Sequence, residues 1–121
     1  MGERRVEGVG AFTFRGDRWE CIPDAHPESC ITLEGEEITA SHESRARAIC
    51  SNWPGVLRRC MAFIESKRRS EGIESTSFTE PTVFIDDDDE WAVFFTVDVE
   101  REDPLGVEFE GEMPVSLMAG D

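Results

Sequence analysis

WAVFFTVDV, residues 91–99, is the stretch whose reading decides the fold. Trp91, Val93, Phe95, Val97 and Val99 share one parity, while Ala92, Phe94, Thr96 and Asp98 share the other. Side chains two apart in a strand point the same way, so this is a strand with one strongly apolar face. Its second face also opens apolar, with Ala92 and Phe94. That predicts a position in the middle of a sheet.

Working outward, TVFI (82–85) reads as a preceding strand, separated by the run Asp86-Asp87-Asp88-Asp89-Glu90. EREDPLG (100–106) carries Pro104 and Gly106 and reads as a turn. GVEFEG (106–111) alternates, with Val107 and Phe109 inward and Glu108 and Glu110 outward. PVSLM (114–118) adds a last edge strand. Toward the N-terminus, GVGAFTF (8–14) and RWECI (18–22) flank the turn Arg15-Gly16-Asp17 and predict a hairpin. CITLEGEEI (30–38) gives a third short strand after the loop PDAHPES (23–29).

Between these strand groups lies helical periodicity. Ile49, Trp53, Leu57, Cys60 and Ile64 recur at steps of three and four and form one apolar stripe. Thr39 and Ser41 are candidate N-caps, and Glu43 sits where a helix dipole favours an acid. Pro54 is tolerated in a helix's first turn but not in its interior, so one kinked helix or two consecutive helices, about 40–51 and 54–70, are predicted, with Gly72 as the stop. The order β-β-β-α-α-β-β-β predicts a single α+β domain over 1–121. Its antiparallel sheet of about six strands would carry the helices on one face.

The formal net charge is −15, and its distribution is uneven. Residues 1–73 hold 12 acidic and 11 basic residues, whereas residues 74–121 hold 15 acidic residues and one base, Arg101. Such a field repels nucleic acid and anionic membranes and attracts a basic partner. A surface serving only solubility is the plainer reading. The seven Arg and Lys residues between 45 and 69 are expected to pair with the chain's own acids or to face solvent.

The expected contact surface comprises Asp86, Asp87, Asp88, Asp89 and Glu90; Glu100, Glu102 and Asp103; and Glu108, Glu110 and Glu112. Glu108, Glu110 and Glu112 would line one strand face, and neighbouring strands would merge all three groups. The Asp86–Glu90 run also reads as a solvated turn, and it lacks the spacing and the glycine of a calcium loop.

No catalytic apparatus is evident. The chain has two histidines, no tyrosine, and none of the nucleophile-elbow, metalloprotease, P-loop or dinucleotide motifs. Cys21, Cys30, Cys50 and Cys60 contain no C-x-x-C pair and read as buried free thiols, with a zinc site involving His26 the lesser alternative. No cofactor is expected. The opening residues MGERRVEGVG lack the apolar stretch of a secretory signal, and a cytoplasmic location is expected.

Residues 91–121 have the shape Trp-x-Val-x-Phe-x-Val-Asp, an acidic loop, then Leu-Gly-Val-x-Phe-x-Gly and a closing Asp. With the preceding strands and helices, this resembles small bacterial α+β domains of unknown function. Several related families are predicted immunity proteins of polymorphic-toxin and contact-dependent-inhibition loci. The resemblance implies a protein that neutralises a basic toxin or nuclease rather than a catalyst. The alternatives are a DNA-mimicking inhibitor of a nucleic-acid-binding protein and a small metal-dependent enzyme.

Overall fold

The chain begins in an edge strand, β1 (Glu3–Val6), where polar residues cover all but Val6. The computed structural model describes residues 2–87 and 89–119. β2 (Gly10–Phe14), β3 (Arg18–Cys21) and β4 (Cys30–Glu34) follow, then α1 (Ala40–Ser51) and α2 (Trp53–Glu71). The chain returns through β5 (Phe78–Ile85), β6 (Glu90–Val97), β7 (Leu105–Glu110) and β8 (Met113–Ala119). These strands lie in one sheet in sequence order. β4 and β5 pair in parallel, with Ile31 opposite Val83 and Leu33 opposite Ile85. The other neighbours are antiparallel.

The fold class is α+β, and the two helices fall close to the predicted 40–51 and 54–70. The sheet differs from expectation in having eight strands rather than about six, one pair of them parallel. The parallel pair follows from the helical block, because a crossover of that length lets the chain re-enter in the same direction. β1 escapes the alternation test because Glu3, Arg4 and Arg5 are exposed. β5 starts at Phe78 rather than 82. Its register shifts between Thr79 and Thr82, and Glu80 adopts φ 51°. The bulge takes up Pro81, which cannot donate a ladder hydrogen bond.

The core sits between the helices and one face of the sheet. Phe12, Ile31, Leu33, Val83, Ile85, Val93, Phe95 and Val107 are fully buried there against Ile49, Val56, Cys60 and Ile64. Thr39 caps α1: its hydroxyl accepts from the His42 backbone N–H at 3.1 Å. In return, its own N–H donates to His42 Nδ1 at 3.2 Å. The capping box therefore uses histidine where glutamate or glutamine is usual. Gly72 ends α2 at φ 65°, a left-handed conformation that suits glycine. No helix among the described residues is long and apolar enough to cross a membrane.

The cysteines are free thiols. Cys21 and Cys60 are core residues, and burial pushes both thiols up to about 12. Cys30 and Cys50 are only half-buried, against the expectation that all four lie in the core.

His26 is buried and stacks on Trp53 at 4.5 Å between ring centres. Ser29 Oγ donates to the His26 carbonyl at 2.9 Å, so it accepts from Nδ1–H at 2.6 Å. Nε2 is then a bare lone pair, and it has no hydrogen-bond partner among the described residues. Burial holds the ring's pKa below its ordinary 6.5. The unfolded chain therefore binds a proton more readily than the folded one. This contribution to stability is whole above about pH 6.5 and is lost as pH falls below it. Denaturant midpoints between pH 7.5 and roughly 5 should fall for the wild type and fall less for His26→Phe. Equal slopes for the two proteins would contradict this account of His26.

Candidate binding face

Among the described residues, no helix or further strand covers the face of the sheet opposite the helices. Register places Phe84 opposite Ala92, and Phe94 opposite both Thr82 and Gly106. Met118 lies opposite Gly106 on the far side. Phe84 and Phe94 are half-buried and meet edge to face, with ring centres 5.5 Å apart. The Phe94 ring lies directly on Gly106, where a Cβ would come within 2.6 Å of it. Glycine is thus required at 106 by close approach, and it sets the position of the ring.

The two rings form a ridge between two open depressions. One runs past Glu80, Thr82, Thr96 and Pro104. The other has Ala92, Val115 and Met118 in its floor, with Glu34, Asp86, Glu90, Glu108 and Glu110 around it. Val115 and Met118 are 50% and 37% exposed, which is high for large apolar side chains in a strand. Glu90 and Glu110 stand directly opposite one another across β6 and β7, an unfavourable pairing of like charges. None of these five rim carboxylates takes part in an ion pair among the described residues.

The β2–β4 side of the same sheet is different. Arg15 and Arg18 both bond Glu20, at 3.2 and 3.0 Å, and Arg18 also reaches Asp17. Glu20 is thus compensated there, whereas the five carboxylates around the second depression have no ion-pair partner among the described residues.

The predicted acidic residues divide three ways. Asp86, Asp87, Asp89 and Glu90 form the β5–β6 turn, and Glu90 joins Glu108 and Glu110 on the open face. Asp87 is occupied locally, its carboxylate accepting from the Asp89 and Glu90 N–H groups at 2.8 Å each. Asp88 lies outside the described residues. His42 anchors the turn from behind: its Nδ1 accepts from Thr39, so Nε2–H donates to the Asp86 carbonyl at 2.9 Å.

Glu100, Glu102 and Asp103 do not merge with this group. They follow the other end of β6, which spans roughly 25 Å at about 3.3 Å per residue. Glu102 turns inward and accepts from the Ser75 hydroxyl, the Glu74 N–H at 2.9 Å and the Ser75 N–H at 3.1 Å. Those bonds, the Ser75 hydroxyl foremost, hold its pKa below the usual carboxylate range. Asp98 does the same for Thr76 and Ser77, and the Ser77 N–H is the main cause of its lowered pKa. These acids fasten the linker before β5.

Glu112 also departs from expectation. Gly111 takes φ 61° and ends the alternation that would have aligned Glu112 with Glu108 and Glu110. Glu112 instead swings to the helix side, bonding Arg45 at 2.7 Å and Arg59 at 3.3 Å. The Arg45 hydrogen bond is the largest cause of its lowered pKa.

Phe84 and Phe94 were legible as strand residues but not as parts of a site. The signal was the apolar second face of WAVFF, on which Ala92 is buried between its neighbours and Phe94 stays half-buried. No cluster of three or more metal-ligating side chains occurs among the described residues. The site is thus an apolar sheet face edged by carboxylates that have no ion-pair partner among the described residues, Glu108 accepting a hydrogen bond from the Ser116 hydroxyl. No family model, no curated protein and no solved structure matches this chain.

Proposed function

We propose that this protein is a non-catalytic binding module that captures a basic protein on the open face of β5–β8. An immunity-type inhibitor of a cationic toxin or nuclease is the form we favour. The observation that carries the reading is the union of exposed apolar side chains with five carboxylates that have no ion-pair partner among the described residues. An aromatic centre with a polar rim is the usual anatomy of a protein interface. Like charges held together without compensation cost stability, and a cationic partner relieves that cost.

The face is also rigid enough to serve. It is built on strands β5–β7, with the edge strand β8 beside them, whose other side faces the protein's core, and the β5–β6 turn is tied to α1 through His42. Rigid elements present side chains without the ordering cost of a loop. The experiment is calorimetric titration with the basic product of the adjacent gene. Stoichiometric binding that weakens steeply with salt is expected, and absence of binding at low salt would overturn the reading.

A further inference from the structure

We infer that the Phe84–Phe94 ridge is an arginine-recognition site. Its occupant is an arginine-bearing segment of the partner, whose guanidinium groups lie over the rings and bond the surrounding carboxylates. The inference rests on the proposed function and names what the partner must present.

The protein itself contains the completed arrangement on the opposite side of the same strands. The Arg45 guanidinium lies over the Trp91 ring, 5.4 Å from its centre, and its NH1 donates to Glu112. Trp91 also stacks on Phe109 at 4.0 Å. That unit consists of an aromatic pair, a carboxylate beside it, and a guanidinium joining the two. The open face repeats two of the three parts. Phe84 and Phe94 are the aromatic pair, and Glu90, Glu108 and Glu110 are the carboxylates beside it.

Arginine fits this place better than lysine does. Its planar, weakly hydrated guanidinium stacks on a ring face while its edge donates to a carboxylate, whereas an ammonium is a compact, strongly hydrated charge. Its aliphatic stem can cover Ala92, Val115 and Met118 as it crosses the floor. A free cation or a nucleic acid would use only part of this surface: the first leaves the rings bare, and the second is repelled by the rim.

The test uses a short peptide alternating arginine with serine and a lysine twin of equal charge, titrated into the intact protein. The arginine peptide should bind about fivefold more tightly than its twin. Phe84→Leu with Phe94→Leu keeps apolar volume over Gly106 and removes the ring faces. In that variant the two peptides should bind equally, because the arginine peptide loses the advantage that the ring faces gave it. Equal binding to the wild type, or a preference that survives in the leucine variant, would overturn arginine recognition while leaving charge capture intact. If neither peptide binds the wild type more tightly than it binds a variant with Asp86, Glu90, Glu108 and Glu110 neutralised, the proposed function falls as well.

Discussion

Trp91→Ala is expected to destabilise the fold by about 3–5 kcal/mol, the cost typical of emptying a buried aromatic site. Trp91 is 5% exposed and sits on β6, between β5 and β7. Its loss removes the stack on Phe109 and the surface on which Arg45 rests. It also leaves the Gly111 carbonyl without the indole N–H that donates to it at 2.8 Å. Gly111 is where the chain turns Glu112 toward the helices, so the β7–β8 turn loses its anchor as well. Trp91→Phe keeps the stacking and drops the N–H, and should cost about 1–2 kcal/mol. Denaturant unfolding measures both. A loss below about 1 kcal/mol for the alanine variant would mean that this cluster does not hold the end of the sheet together.

Neutralising the rim should separate binding from folding. A variant carrying Asp86→Asn, Glu90→Gln, Glu108→Gln and Glu110→Gln is expected to bind the basic partner about fourfold to several-hundredfold more weakly. Each exposed charge pair contributes roughly 0.2–1 kcal/mol, and four act together. Most of the loss should appear in the association rate and in a flatter salt dependence. Stability should hold or rise slightly, because Glu90 and Glu110 repel one another across the ladder. Weaker binding by a protein at least as stable as the wild type cannot be ascribed to unfolding. Unchanged affinity would remove these carboxylates from the contact surface.

The helices and the central strands were legible because their signals are local. The stripe through Ile49, Trp53 and Ile64, the break at Pro54 and the alternation of 91–99 depend only on nearby residues. What was not legible depends on partners distant in sequence. Whether Glu102 faces solvent or caps Ser75 is decided 27 residues away. Whether Glu112 continues a strand face depends on one left-handed glycine and on two arginines from the helices. Charge counting therefore located the acidic third of the chain but could not divide it. One part is structural, holding the linker and the last turn. The other is the set around Phe84 and Phe94 that has no ion-pair partner among the described residues. The parallel pairing of β4 with β5 was hidden for the same reason, since nothing in either strand records the direction of its neighbour.

The central claim is that the uncovered face of β5–β8 is the docking surface. Methyl resonances test it most directly, because they distinguish the two sides of a sheet where backbone amides do not. The protein, methyl-labelled, is titrated with the arginine–serine peptide at low salt. The account predicts that signals of Ala92, Val115 and Met118 shift and saturate together, while Val83, Val93 and the helix-side Leu57 and Met61 stay in place. Shifts confined to Leu57 and Met61, or spread evenly over both sides, would contradict it.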